Sequence, residues 1–129
     1  MSEGIYLLQE DGGLQELLLK PYDFEDWMGL QWHTPQKLHS GSIQKAAAAK
    51  GLYKIFSKDE LLYIGQSANI KSRLYAHAKK DWNEEHVFYS FFNLPDELLP
   101  HQLKELENDL LGAYYFQFGT VPRIQYAGK

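Results

Sequence analysis

The sequence lacks cysteine altogether, and its apolar runs are short. The absence of thiols excludes disulfide frameworks, thiolate metal sites and cysteine nucleophiles, and it suits a reducing, cytoplasmic location. The longest apolar runs, Leu17–Leu19 and Ala46–Ala49, are far shorter than the roughly 20 residues of a membrane-spanning helix. No basic segment leads into an apolar one at the start. We therefore expect no membrane partner and no signal peptide.

An excess of positive charge is also missing, because the formal net charge is -4. A stand-alone, non-specific DNA-binding protein is normally basic, since Lys and Arg neutralise the phosphates. The basic residues are nevertheless clustered in the acid-free segment Asn69–Lys80, which holds Lys71, Arg73, His77, Lys79 and Lys80. The cluster has two interpretations, a local contact with nucleic acid or a solvated helix face.

The chain length fits one domain that can bury a core of its own. Within residues 1–50, apolar runs on both sides of Asp11-Gly12-Gly13 predict a hairpin. Ser42 is placed to cap a short helix over Ile43–Lys50. We expect residues 1–50 to form an N-terminal hairpin and helix extension that packs on a second unit, residues 51–129.

Residues 51–129 show the order strand, strand, helix, strand, helix. The predicted elements are strands at Leu52–Phe56, Leu61–Gly65 and residues 86–94, and helices at Asn69–Lys80 and residues 101–118. This order predicts an α/β fold with a small mixed or antiparallel three-stranded sheet flanked by helices.

Two tyrosines, Tyr53 and Tyr63, lie in the first two strands of this unit, each close to a glycine. Strand side chains alternate between faces, so the turn decides whether the two share a face. With an even number of turn residues they point to opposite faces. With an odd number, or with a bulge, they share a face and Tyr53 lies opposite Gly65. Spacing alone does not exclude that both are ordinary strand residues.

The two helices contribute three further candidates. Arg73 and His77 are four residues apart and therefore lie on one helix face. Glu107 lies at the margin of the apolar stripe of the second helix, where a carboxylate needs a cation, a metal ion or hydrogen-bond donors. An ordinary ion pair, for instance with Arg73, is the alternative.

Taken in order, these residues resemble the GIY-YIG nucleases. Gly51-Leu52-Tyr53 resembles the first motif, with Leu for the usual Ile, and Tyr63-Ile64-Gly65 resembles the second. Arg73, His77 and Glu107 match the helix arginine, the histidine of many members and the metal-binding glutamate of the family. The resemblance covers residues 51 to about 125. It makes the upstream Gly4-Ile5-Tyr6 a chance match, because that tripeptide lies too far from Tyr63.

The resemblance implies hydrolysis of DNA phosphodiester bonds with one divalent metal ion, Mg²⁺ or Mn²⁺, held by Glu107. It implies that Arg73 stabilises the phosphate in the transition state and that Tyr53 is the general base. Tyr63 and His77 would be relays or phosphate contacts, and which tyrosine is the base stays open. DNA repair is one context that this family serves.

Substrate contacts are expected from a further set of residues. These are Lys54, Gly65, Gln66, Ser67, Lys71, Lys79 and Gln125. Gln125 stands where the family usually has Asn, which raises the question of weakened activity. The alternative function is a catalytically weak or inactive module that binds DNA or a protein. Because the chain is acidic, we also expect a protein partner or a homodimer formed through residues 1–50.

Overall fold

The computed structural model describes residues 5–8, 14–17, 27, 30–44, 46, 48–58 and 60–125. The strands are β1 (Ile5–Leu8), β2 (Leu14–Leu17), β3 (Gln36–Lys37), β4 (Gly51–Ser57), β5 (Leu61–Ser67) and β6 (Val87–Asn93). The helices are α1 (Ser40–Ile43), α2 (Ile70–Ala78) and α3 (Pro100–Phe118). Among the described residues, no helix has both the length and the apolar character needed to cross a membrane.

The strands β1 and β2 pair antiparallel, with Ile5 opposite Leu17. The predicted hairpin is thereby confirmed, while its Asp11-Gly12-Gly13 connection lies outside the described residues. Tyr6 lies in this two-stranded sheet, opposite Glu16, and not in the sheet that holds Tyr63.

The main sheet is antiparallel with the strand order β3-β6-β4-β5. Three of its strands are those predicted from the sequence, and β3 is a fourth. The extra strand is only two residues long, and both Gln36 and Lys37 are exposed. Because it carries no apolar alternation, no sequence pattern marked it.

The helix predicted over Ile43–Lys50 is wrong. α1 instead covers Ser40–Ile43, and the Nδ1 atom of His39 caps it by accepting from the Gly41 N–H at 3.0 Å. An isolated helix shorter than about 12 residues is marginal without an amphipathic face to pack, and the alanine run offers none. Ile43 and Ala46 are nevertheless buried, so the segment contributes to the core.

The two longer helices begin and end at residues suited to those positions. Asn69 caps α2, because its Oδ1 accepts from the Ser72 N–H at 3.0 Å. α3 begins at Pro100, which lacks the N–H that a first turn leaves unpaired. It ends at Gly119, whose φ of 76° is the left-handed conformation that glycine adopts without strain.

The sheet separates two hydrophobic cores. On one face, Leu52 and Phe56 pack with Leu110 and Tyr114 of α3. On the other face, residues of β4 and β6 pack with Ile70 and Leu74 of α2. Residues that alternate along β4 therefore serve opposite cores.

Lys54 is fully buried on the α3 face. Its Nζ lies 4.6 Å from the centroid of the Trp32 ring and 5.4 Å from that of Trp27. The Trp32 Nε1–H donates to the Trp27 carbonyl at 2.8 Å, which fixes the two rings relative to each other. Aromatic faces attract a cation, so both tryptophans help to hold this charge inside the fold. A side chain in this position is not available for the phosphate contact expected of Lys54.

The segment after α3 returns to β5 and binds its outer edge. The Ile124 N–H donates to the Leu62 carbonyl at 2.9 Å. The Gln125 side chain then forms two bonds with Ile64: its Nε2 donates to the Ile64 carbonyl at 2.7 Å, and its Oε1 accepts from the Ile64 N–H at 2.8 Å. Gln125 thus holds the central residue of Tyr63-Ile64-Gly65 by both backbone groups.

We predict that Gln125→Ala lowers the free energy of unfolding by about 1–3 kcal/mol, because two buried backbone groups of Ile64 lose their partner. Gln125→Asn should also destabilise, since the amide is drawn back by one methylene. Gln117→Ala on the exposed surface of α3 is the matched control, expected to change stability by less than about 0.5 kcal/mol. Urea unfolding measures all three. A Gln125→Ala protein as stable as the control would contradict the stabilising role of the two Gln125–Ile64 bonds.

Candidate active site

The strands β4 and β5 pair so that Tyr53 lies opposite Gly65 and Ile55 opposite Tyr63. The Ser57 N–H donates to the Glu60 carbonyl at 2.8 Å, which leaves an even number of residues between them. An even turn alone would place the tyrosines on opposite faces. The register shifts between Ile55 and Phe56, and this bulge restores the shared face. The sequence required an odd turn or a bulge for Tyr53 and Tyr63 to share a face, and the structure has the bulge.

Gly65 allows the ring of Tyr53 to lie directly against the backbone of β5. A Cβ atom at Gly65 would be 2.4 Å from both Cζ and Oη of Tyr53. Any other residue would therefore displace the ring. The Tyr53 ring also stacks on that of Tyr63, with centroids 6.0 Å apart and planes inclined by 18°. Tyr53 is almost fully buried, whereas Tyr63 remains partly exposed.

His77 completes this aromatic group from α2. Its Nε2 lies 2.7 Å from the Tyr53 hydroxyl oxygen, a short hydrogen bond between buried groups. Its ring centroid lies 4.9 Å from that of Tyr63 and 5.5 Å from that of Trp82. The Trp82 Nε1–H donates to the His77 carbonyl at 2.8 Å, so Trp82 holds the histidine through its backbone as well.

Both members of the hydrogen-bonded pair are uncharged at neutral pH. Burial raises the pKa of the Tyr53 hydroxyl above its usual range; the Tyr63 and Glu107 charges act in the same direction and Arg73 against them. Burial also lowers the pKa of His77 to about 3, with the positive charges of Lys80 and Arg73 adding to the effect. The pair is therefore a phenol and a neutral imidazole.

Arg73 and Glu107 both lie within electrostatic range of Tyr53, since each affects its pKa. Arg73 is exposed on α2. Glu107 lies on α3, and although it carries a charge it is only 6% exposed. Its Oε1 accepts from the Lys104 Nζ at 2.9 Å. In the described part of the chain, the ion pair of Glu107 is thus with Lys104 and not with Arg73.

The comparison with protein families agrees with this geometry. A family model for the GIY-YIG catalytic domain matches residues 49–114, just over half of the chain. This chain belongs to the GIY-YIG family. No curated protein matches it significantly. The α/β fold and the resemblance of Gly51-Leu52-Tyr53 and Tyr63-Ile64-Gly65 are confirmed, and the family implies nuclease-type hydrolysis of phosphodiester bonds.

Several expected contact residues of this GIY-YIG domain lie away from Tyr53 and His77. Gln66 follows Gly65 and therefore lies on the other face of β5, where it pairs with Leu52 of β4. The Ser67 hydroxyl is used within its own turn, accepting from the Asn69 N–H and donating to the Asn69 carbonyl, both at 2.9 Å. As DNA contacts, Gln66 and Ser67 stay predictions.

Lys71 and Lys79 line an open cavity of about 500 Å³ with Tyr75 of α2 and Ala48. This places them on the flank of α2 that faces the α1 segment. Arg73 and His77 are on the side of Tyr63. The basic cluster read from the sequence is thus divided between two sides of the helix.

Two residues near the site were not assigned to it from the sequence. Trp82 follows His77 by five positions and holds it as described above. Lys80 lies two residues beyond the end of α2 and follows Arg73 by seven positions, a spacing of about two helical turns that favours the same side. This seven-residue spacing was the sequence signal that could have identified Lys80.

The residues near Tyr53 can hold a divalent ion through one carboxylate. The described residues contain no cluster of three or more His, Asp or Glu side chains that could hold a metal. They do contain one buried carboxylate, Glu107, next to the Tyr53 group. Mg²⁺ keeps several water ligands and is often held by one or two carboxylates together with substrate phosphate. A single glutamate is therefore a sufficient protein ligand for that ion.

We predict that Gly65→Ala destabilises the protein by about 1–3 kcal/mol, because the added methyl group overlaps the Tyr53 ring. Gly112→Ala is the matched control: no atom lies within 4 Å of a Cβ there, and helix propensity should stabilise α3 by about 0.5–1 kcal/mol. The two substitutions should thus shift the thermal midpoint in opposite directions. Equal shifts would refute the close approach.

We predict that His77 weakens the fold in acid. The unfolded state gains a proton below pH about 6.5, whereas folded His77 stays neutral down to about 3. Stability therefore falls as pH decreases, by about 1.4 kcal/mol per pH unit between roughly pH 5.5 and 4 from this group. Unfolding at several pH values should show a shallower slope for His77→Gln. His101→Gln, on the exposed surface of α3, should retain the wild-type slope; an unchanged slope in His77→Gln would reject the buried neutral state.

Proposed function

We propose that the chain is a metal-dependent endonuclease that cuts DNA phosphodiester bonds. The observation that carries the proposal is the 2.7 Å hydrogen bond between the Tyr53 hydroxyl and His77 Nε2, formed beneath the partly exposed Tyr63 and near Arg73. A phenol bonded to a neutral imidazole can pass a proton onward, which is what activation of a water molecule requires.

In this mechanism Tyr53 acts as a relay and not as a preformed phenolate. Its raised pKa keeps the hydroxyl protonated at neutral pH. The attacking water gives its proton to the Tyr53 oxygen while Tyr53 gives its own proton to His77 Nε2. In this tautomer the second nitrogen, Nδ1, carries the imidazole hydrogen; it is buried and has no hydrogen-bond partner among the described residues.

Substrate binding should make His77 a better base. Arg73 and Lys80 are two of the causes that lower its pKa. Phosphate groups next to these cations would offset their charge and raise the affinity of His77 for a proton. Proton transfer would then be favoured when the substrate is in place.

The remaining roles follow from charge. Arg73 is exposed, and no carboxylate of the described residues lies within ion-pair distance, so its donors are available to the phosphate and to the charge that develops on it. Glu107 would hold a Mg²⁺ or Mn²⁺ ion, which supplies charge stabilisation at the phosphate and leaving oxygen when bound. Lys104 donates to one oxygen of Glu107.

Gln125 supports an active enzyme better than an inactive one. Its amide bonds both backbone groups of Ile64, so the residue performs a positioning role on β5 despite its extra methylene. We propose this role for Gln125 in place of a substrate contact. A protein partner or a homodimer formed through residues 1–50 stays a further proposal.

Nicking of supercoiled plasmid and of branched DNA in Mg²⁺ or Mn²⁺ tests the nuclease. We predict that Tyr53→Phe and Glu107→Gln each lower the rate by about a hundredfold or more, since one loses the relay and the other the metal ligand. EDTA should abolish nicking by the parent protein.

Two exposed residues give matched controls for this assay. Tyr115→Phe and Glu105→Gln make the same chemical changes elsewhere on α3 and should cut at the parental rate. If the parent protein nicks neither DNA, or if Glu107→Gln cuts like Glu105→Gln, the nuclease proposal fails.

A further inference from the structure

Lys80 is the second cation on the substrate side of α2. It lies two residues beyond the end of α2, where its N–H donates to the His77 carbonyl at 3.1 Å, a bond that closes the end of the helix. Its spacing of seven residues from Arg73 corresponds to about two helical turns and a rise of about 10 Å, and both charges act on His77. Lys79, the adjacent lysine, lies on the other flank, where it lines the cavity with Lys71.

The side chain of Lys80 is directed toward the aromatic group of the site. Its Nζ lies 5.8 Å from the centroid of the Tyr63 ring and 5.6 Å from that of Trp82. Attraction to these ring faces holds the ammonium group near His77, whose pKa it affects. The residue as a whole remains exposed, so the charge is still accessible to a ligand.

Three carboxylates line a cavity with Lys80, and two of them already have partners: Glu84 is bonded to Arg123, and Glu85 lies 3.3 Å from His86. Within the described residues, neither Lys80 nor Arg73 has a carboxylate within ion-pair distance. The neighbouring Asp81 uses its Oδ1 to accept from the Asn83 N–H at 2.9 Å. Glu107, the buried carboxylate near Tyr53, is paired with Lys104. In the described part of the chain, the donors of Lys80 and Arg73 are therefore not used in ion pairs.

We propose that Lys80 binds a backbone phosphate of the substrate strand, next to but distinct from the phosphate held at Arg73. A rise of about 10 Å between the two residues exceeds the roughly 3.4 Å axial rise from one phosphate to the next on a DNA strand, so the two cations can contact different phosphates. The proposal rests on the proposed function for the identity of the ligand. In this proposal Lys80 contacts the DNA backbone, and the rings of Tyr63 and Trp82 hold the Lys80 ammonium group in place.

The test measures binding of a fluorescently labelled forked DNA duplex in EDTA, by anisotropy, across about 50 to 300 mM NaCl. Each phosphate contact contributes about -0.9 to the slope of log K against log salt. Lys80→Gln should therefore lower the magnitude of the slope by about 0.9 and weaken binding about eightfold at 0.1 M salt. Lys80→Arg, which keeps the charge, should retain the wild-type slope.

Lys58→Gln is the matched control, since Lys58 is exposed in the turn between β4 and β5 and does not line the cavity at Lys80. It should keep the wild-type slope. The double variant Arg73→Gln/Lys80→Gln should lose about 1.8 from the slope if the two cations hold separate phosphates, and about 0.9 if they share one. The shared value overturns the assignment to a distinct phosphate.

The outcomes separate this inference from the nuclease proposal. If the parent protein never cuts DNA but Lys80→Gln lowers the slope, the nuclease proposal fails and Lys80 keeps its role. If the parent cuts and Lys80→Gln binds with the parental slope, the role of Lys80 is overturned alone. Absence of any binding by the parent protein overturns it as well.

Discussion

The contact between the Tyr53 ring and the bare Cα of Gly65 is the constraint on which the site depends. It requires that the two residues be directly opposite, and the bulge in the β4–β5 pair provides that register. Once the ring lies flat against β5, its hydroxyl reaches His77 and its face covers Tyr63. Gln125 holds the same stretch of β5 from outside by bonding the backbone of Ile64. The strand is thus fixed from its face and from its edge.

The distribution of charge is the second constraint on this site. The buried pair of Tyr53 and His77 is neutral, while the charged side chains Arg73 and Lys80 lie at its rim. A neutral pair surrounded by cations does not transfer protons readily, because protonated His77 would add to the positive charge. In the proposed mechanism, an incoming polyanion removes that obstacle, so that DNA binding and proton transfer depend on the same charges.

Much of the fold and of the site could be predicted from the sequence, for reasons that particular residues illustrate. Strand and helix periodicity located β4, β5, β6, α2 and α3 to within a few residues, and the ordered set from Tyr53 to Glu107 indicated the family. Parity reduced the shared tyrosine face to an odd turn or a bulge, but no residue type marks where a bulge forms. The strand β3 has no apolar pattern, and so it was missed.

Other features depend on tertiary contacts that no local pattern encodes. Lys79 and Lys80 are adjacent in sequence just after α2, but their side chains lie on different sides of the chain. The residue type at position 125 suggested a departure from the family, whereas its bonds to Ile64 depend on how the chain returns to β5. Trp82 acts through a carbonyl and a ring stack, which sequence spacing alone does not disclose.

The burial of Lys54 sets a limit on how this nuclease fold can be divided. The lysine belongs to β4, but the rings nearest its ammonium group, Trp27 and Trp32, precede the first motif by about 20 residues of chain. A fragment that begins at Gly51 would contain every residue assigned to catalysis and yet lose the two indole rings that lie near this buried ammonium group. We therefore expect a catalytic domain transplanted without the segment of Trp27 and Trp32 to be less stable than one that retains it.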